Sequence, residues 1–311
     1  MKKCLVKVAV LSLAFSVLVG FGVISFAQEP FMSQYSTIAE YEEVTGEKIS
    51  DFSEAPQLAE LVEQGKLPPV EERLPQEPAV VEPVEEIGEY GGTWRRAAIS
   101  KETATSPRMR YEPLVRWARD AKTIIPNVAH SWKITEDGTT YTFYLRKGMK
   151  WSDGEPFTAD DIMFWYEDVL LNKDLTPSFP EWLTVGGSPV KVERIDDYTV
   201  KFQFTHPYSL FLEYLAGPSG PPLCQYPKHY LKQFHPAYTP VEILDKLTKE
   251  AGFQYWYELF GDRTDAYSNP DLPGISAWIP KARPGAAQVI SERNPYYWKV
   301  DPEGNQLPYI V

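Results

Sequence analysis

Cysteine is nearly missing from this chain of 311 residues, which contains only Cys4 and Cys224. No network of disulfides can hold the fold, so a sizeable apolar core has to do so. Positive charge is also short, with 31 Lys and Arg against 43 Asp and Glu for a net charge of −12. Such a surface repels phosphate, which excludes nucleic acid as a partner. Histidine occurs only at His130, His206, His229 and His235, and no two have the H-E-x-x-H spacing that sets a pair of metal ligands on one helix face. No metal and no cofactor is expected. The phosphate-cradling G-x-x-x-x-G-K-[ST] and G-x-G-x-x-G patterns and the G-x-S-x-G nucleophile elbow are absent too, which removes the cheapest support for kinase-like and hydrolase-like readings.

Aromatic and proline residues are abundant. Nine Trp, 19 Tyr and 15 Phe suit large buried surfaces or stacking on a ligand. The 28 prolines point to frequent turns and extended connections. With 43 % hydrophobic and 24 % charged residues the composition is that of a globular protein long enough for one large or two ordinary domains.

Lys2, Lys3 and Lys7 precede an apolar run from Val8 to Phe26, and Ser25-Phe26-Ala27 ends in the small residues that a signal peptidase reads. Residues 1–27 are therefore read as a secretory signal rather than a retained anchor, placing the protein in the periplasm or outside the cell. Removing them takes away three lysines and no acid, so 28 basic side chains would face 43 acidic ones, a balance of −15. Cys4 would leave with the signal.

Residues 28–90 read as an acidic, proline-rich N-terminal extension. Thr37 and Glu40 form a capping box that opens a helix closed by Gly46. Ser53 is expected to cap a second helix, with Leu58, Leu61 and Val62 on one face and Gly65 at its end. From Glu54 to Glu89 ten Glu stand against Lys66 and Arg73, with prolines interspersed, so an extended arm or linker is expected.

The folded body is expected to begin at Gly91-Gly92-Thr93-Trp94. Residues 140–146 alternate as a strand does, and Asp153-Gly154 makes a turn. Thr158 caps a helix with Asp160 and Asp161 in its first turn, and Ile162, Trp165, Tyr166, Val169 and Leu170 form a single core stripe. Residues 190–204 read as a β-hairpin turning at Asp196-Asp197. Thr239-Pro240-Val241-Glu242 opens a helix with proline at its first position, ended by Gly252. Two strands follow, at 275–281 and 286–293. Strands and helices mix without a strict βαβ repeat, which argues for an α+β, mixed-sheet architecture. Asp137, Asp153, Asp160 and Asp161 are read as turn and helix-start residues rather than catalytic carboxylates. The arginines at 95, 96, 108, 110, 116 and 119 are read as solvated partners of the many acids.

From Asn127 to Asp161 the sequence runs NVAHSWKITEDGTTYTFYLRKGMKWSDGEPFTADD. This resembles the signature of the family 5 solute-binding proteins of bacterial ABC transporters, the peptide, dipeptide and nickel binders. It couples Ala129-x-x-Trp132, Asp137-Gly138, the Tyr-Thr-Phe-x-Leu-Arg strand, Gly148, Trp151-Ser-Asp-Gly154 and Phe157-Thr-Ala-Asp-Asp161 at the family's spacing. Gly91-Gly92-Thr93, Tyr111-Glu-Pro-Leu114, Pro227-Lys-His-Tyr230 and Arg293-Asn-Pro-Tyr-Tyr-Trp298 extend the resemblance over residues 90–311. His130 stands where the family usually has an acid, and Ser276-Ala277-Trp278 where relatives show Gly-Pro-Tyr or Gly-Ala-Tyr.

The resemblance implies a two-lobed periplasmic-binding-protein type II clamp, closing on ligand and presented closed to the permease. Family members are nearly twice as long, so the chain is expected to be truncated at Val311, holding only the first lobe (91–113 plus 206–311, incomplete) and the small extra domain (114–205). By the same resemblance the protein is not an enzyme and is a monomer when complete. Its partners are a peptide or oligosaccharide ligand and the ABC transporter permease subunits. Thr103, Ala104 and Thr105 are the candidates for hydrogen-bonding ligand backbone, and Phe179, Trp182 and Trp278 for contacting ligand with their rings. Two alternatives stay open: an oligosaccharide rather than a peptide ligand, and, from export, acidity and aromatic content alone, a secreted carbohydrate-active enzyme.

Overall fold

The computed structural model describes residues 34–97, 110–218, 220–267, 269–281 and 288–311. The chain enters through strand β1 (Gln34–Tyr35) and helix α1 (Ile38–Thr45). The Thr37 hydroxyl accepts the Glu40 amide at 3.1 Å, and Gly46 ends the helix at φ +76°, a conformation that costs a residue with a Cβ. The return half of the box differs from expectation, because the Glu40 carboxylate accepts the amide of Ser36 instead of Thr37.

Helix α2 (Pro56–Glu63) has Ala55 at its N-cap and proline at its first position. Ser53, expected to cap it, instead bridges to Asn305 near the end of the chain. Helix α3 (Val70–Arg73) and strand β2 (Ala79–Val81) follow. β2 is the middle of a three-stranded sheet, antiparallel to β1 (Tyr35 opposite Val80) and parallel to the late strand Lys299–Val300 (Val300 opposite Val80). The expected arm is therefore corrected to a packed element. Most of its glutamates are exposed, Glu54 and Glu82 being half-buried, while Val70, Leu74, Val80, Tyr35 and Tyr41 form a core with Val300. Charge composition signalled extension, but a few apolar residues at short intervals were enough to bury one side.

Strands β3 (Val115–Trp117) and β4 (Ile124–Pro126) pair as a hairpin. The larger sheet has the order β5-β6-β10-β9 and is antiparallel throughout. It is built from β5 (Ala129–Ile134), β6 (Thr140–Leu145), and a hairpin of β9 (Lys191–Asp196) and β10 (Thr199–Gln203), with the small hairpin β7 (Thr184–Val185) and β8 (Ser188–Pro189) before it. Tyr141, Phe143 and Leu145 are buried and alternate with half-buried Thr140, Thr142 and Tyr144, as the period of two requires.

Helix α4 (Ala159–Met163) starts at Thr158 with a complete capping box to Asp161 and then widens into a π-helical run, Phe164–Leu170. The single stripe expected there is corrected to two. Ile162, Trp165 and Leu170 join the main core, whereas Phe164 and Val169 enter a second core with Leu231, Leu244, Leu259 and Phe260. The wider turn takes Val169 off the 3.6-residue stripe and aligns it with Phe164, five residues earlier, as it aligns Leu170 with Trp165.

Helix α5 (Phe211–Ala216) covers the main core, and α6 (Lys228–Leu231), α7 (Val241–Glu250) and α8 (Trp256–Arg263) carry the second. Pro240 caps α7 from outside rather than occupying its first position, and the Thr239 hydroxyl donates to the carbonyls of Lys232 and Gln233. Gly252 follows the helix at φ +84°. Strands β11 (Trp278–Pro280) and β12 (Ser291–Arg293) pair antiparallel, and β13 (Lys299–Val300) closes the first sheet. The described strands and helices form a mixed α/β architecture.

Candidate functional site

Thr103, Ala104 and Thr105 lie outside the described residues. The three candidate rings all pack partly buried against the main core. Trp182 sits on a single 3-10 turn, Glu181–Leu183, and its carbonyl accepts the Tyr208 hydroxyl at 2.9 Å. Its ring lies nearly parallel to Phe211 (centroids 6.3 Å apart, 20°) and Tyr214 (5.9 Å, 21°). Phe211 is fully buried and Tyr214 is 41 % exposed, so the stack runs from the core to solvent through Trp182. Trp278 is fixed on β11, and its indole N–H donates to the Ile310 carbonyl at 3.2 Å. Phe179 precedes the Trp182 turn. A ring already fixed by stacking or by a tether has little freedom left to lose on meeting a ligand.

Elsewhere in the fold a buried charge network joins segments far apart in sequence. The Lys299 ammonium lies 2.9 Å from the Glu112 carboxylate, with both side chains almost fully buried, and donates to Asn127 Oδ1 at 2.8 Å and Gln34 Oε1 at 3.1 Å. Glu112 also accepts the Tyr297 hydroxyl at 2.6 Å and the Asn127 amide at 3.0 Å. Burial pushes Lys299 down to about 7 against the pull of Glu112. Burial acts to raise Glu112, but the charges of Lys299 and Arg116 and the Tyr297 hydrogen bond outweigh it and hold the carboxyl below its ordinary value. Trp298 lies between two cations, Lys299 Nζ 4.5 Å and Arg146 Cζ 4.9 Å from its ring centre. Arg146 is itself buried and donates to the carbonyls of Asn127, Ser36 and Glu77.

Another polar group ties α4 to α6. Asp161 accepts the amides of Thr158 and Lys228, each at 2.9 Å, and the Trp151 indole N–H at 3.3 Å, while burial raises its carboxyl to about 6. Nearby, His229 Nε2 is 2.8 Å from Asp153. Among the described residues no group of three or more His, Cys, Asp or Glu converges as a metal would require. Cys224 is buried, and burial pushes its thiol far up, away from nucleophilic use. A surface groove of about 510 Å³ between His130, Tyr144, Lys147, Asp196 and Tyr198 contains none of the candidate residues.

Sequence reasoning missed the Glu112–Lys299 pair. Its one signal is a lysine inside the apolar run Trp298-Lys299-Val300, on a strand too short to show alternation. The reading of Arg110 as a solvated arginine is corrected. It is 7 % exposed, because the loop of Tyr267 and Gly274 closes over it.

The sequence pattern of the family described as "Bacterial extracellular solute-binding proteins, family 5 Middle" matches residues 123–311. The periplasmic alpha-galactoside-binding protein of Rhizobium meliloti (strain 1021) is 34 % identical over 270 residues, which covers 80 % of this chain and 36 % of that protein. The solved structure of an oligopeptide-binding protein OppA is similar at a TM-score of 0.83 and 48 % identity, covering 89 % of this chain and 43 % of that one. The periplasmic binding protein MelB of Agrobacterium fabrum C58, solved in complex with stachyose, gives a TM-score of 0.66 and 32 % identity, covering 85 % of this chain and 40 % of that one. The chain thus spans well under half the length of each. The architecture is that of OppA-type periplasmic binding proteins, in part. With the family pattern covering more than half of its residues, from 123 to 311, this chain belongs to the family 5 bacterial extracellular solute-binding proteins.

Proposed function

We propose that this chain forms one side of the ligand clamp of an ABC importer's extracytoplasmic binding subunit, and that the captured solute is an oligopeptide handed to the membrane permease. The observation that carries the peptide reading is the likeness to an oligopeptide-binding protein at 48 % identity and a TM-score of 0.83. Residues 103–105 would pair with ligand backbone, and Phe179, Trp182 and Trp278, none of them fully buried, would contact it with their rings. In this reading residues 114–205 form the extra domain around the four-stranded sheet, residues 91–113 and 206–311 belong to the lobe, and residues 1–27 direct export. Ligand closes the clamp only as far as it binds the closed form better, and no bond in it is broken.

A second reading, an oligosaccharide ligand, is favoured by two relatives that span most of this chain, one named for alpha-galactosides and one solved with stachyose. Calorimetric titration of the complete two-lobed protein that contains this chain, with tripeptides to pentapeptides and, separately, with stachyose, separates the two. Saturable heat with peptides alone supports the first reading and with stachyose alone the second. Silence with both overturns ligand capture by this chain. Where ligand binds, Trp182→Ala and Trp278→Ala should each weaken it about tenfold or more, the loss of one aromatic contact.

A further inference from the structure

Guanidinium groups buried in this protein are supplied with acceptors. Arg73 donates to the carbonyls of Pro68 and Pro295, to Gln306 and to Glu54. Arg293 donates to the carbonyls of Pro308 and Tyr309 and to Gln57, and Arg146 has the three carbonyls already described. Arg110 breaks this pattern. It is 7 % exposed, yet its Nε and Nη1 are buried and have no hydrogen-bond partner among the described residues. Its guanidinium carbon lies 5.7 Å from the centre of the half-buried Tyr267 ring, and Nη2 is in contact distance of the space beside Gly274. Asp265 is near enough to favour its charge, and that carboxylate also accepts the Tyr267 amide at 2.9 Å, but it reaches neither Nε nor Nη1 with a hydrogen bond. Leaving two buried N–H groups of a cation without acceptors is expensive even with a carboxylate nearby.

We infer that Arg110 is the receptor for a carboxylate carried by the ligand. The inference rests on the reading of this chain as one side of a solute clamp. A carboxylate fits better than a phosphate: one guanidinium matches one negative charge, and Asp265 disfavours a second. A neutral sugar hydroxyl could accept a hydrogen bond there but would leave the charge uncompensated. A peptide's C-terminus and the carboxyl group of a uronic acid are the two sources of this chemistry.

The decisive experiment is thermal unfolding of the whole chain in sodium acetate against sodium chloride at equal ionic strength, for wild type and Arg110→Met. Acetate at ten times its Kd should raise the wild-type Tm by about 3 °C over chloride. Arg110→Met should lose that response and show an equal or higher Tm in chloride, because the buried cation with two unsatisfied N–H groups is gone. An equal acetate response in both proteins, or none in wild type, overturns the inference. So does an Arg110→Met chain that unfolds or fails to fold, which would mean that the chain itself supplies the partner. A ligand arm then separates the sources. Trialanine should bind at least about tenfold tighter than its C-terminal amide if the carboxylate is a peptide's, and digalacturonate tighter than stachyose if it is a sugar's. If no peptide or sugar binds, the clamp reading fails while the acetate result still decides the role of Arg110. If acid and amide bind alike and Arg110→Met binds as wild type does, the inference fails and the clamp reading stands.

Discussion

Replacing Lys299 by Met removes the cation from a carboxylate that water cannot reach. Glu112 is 7 % exposed and 2.9 Å from the ammonium, and its remaining partners are the neutral Tyr297 hydroxyl and Asn127 amide. Breaking a buried pair from one side costs about 3 to 5 kcal/mol. Because two hydrogen bonds to Glu112 survive and Met keeps the packing on Trp298, the lower end, about 3 kcal/mol, is expected. That lowers Tm by about 6 to 12 °C. The pH dependence follows from sign. In wild type the Glu112 carboxyl is held below its unfolded value, so its contribution is present above about pH 4.3 and is lost as the solution becomes more acid. In the variant the nearest cation is gone and burial dominates, raising the carboxyl above its unfolded value. The folded variant then binds a proton that the unfolded chain does not, and its stability falls as pH rises through that window. Lys299, lowered to about 7 in the folded wild type and fully charged in the unfolded chain, makes wild-type stability rise with pH as 7 is approached, which only adds to the difference. The deficit of Lys299→Met should therefore be larger at pH 6.5 than at pH 5.0, measured as urea midpoints by tryptophan fluorescence. Adding Glu112→Gln should recover most of it, since the buried charge is then absent. A deficit below about 1 kcal/mol, or one that is the same at both pH values and additive with Glu112→Gln, would refute the reasoning.

Thr158→Ala removes a hydroxyl that accepts an amide at the start of α4 and should cost about 1 kcal/mol by urea denaturation. Gly46→Ala meets no neighbour within 4 Å, so its expected cost of about 1 kcal/mol comes from the φ of +76° alone, and a neutral result would show that the turn relaxes. Burial lowers the His235 imidazole below its ordinary value, so the unfolded chain binds more protons just below pH 6.5 and stability should rise with pH there. His235→Gln should flatten that slope in the same titration. Sequencing the N-terminus of the exported protein should find Gln28 first, and Met1 would contradict the reading of residues 1–27.

Local signals carried much of this protein. Alternation in 140–145, the hairpin at 190–204 (turning at Asp197-Tyr198, one residue beyond the expected Asp196-Asp197), the Thr37 and Thr158 caps and the stops at Gly46 and Gly252 each depend on a few neighbouring residues, and the motif spacing from Asn127 to Asp161 was enough to point to the family. The candidate rings could be named from sequence, but the stack that fixes Trp182 and the carbonyl that holds Trp278 could not. Tertiary structure alone decided that the acidic stretch before residue 90 packs, because β2 gains its partners from residues 34–35 and 299–300 at the two ends of the described chain. It also decided that the helix after Thr158 serves two cores through a π-turn, that Lys299 meets Glu112 from 187 positions away, and that Arg110 is enclosed with its Nε and Nη1 lacking an acceptor among the described residues. The physical reason is the same in each case. Caps, turns and strand alternation are set by interactions within a few residues, whereas pairing, burial and the desolvation of a charge depend on what distant segments bring to the same place.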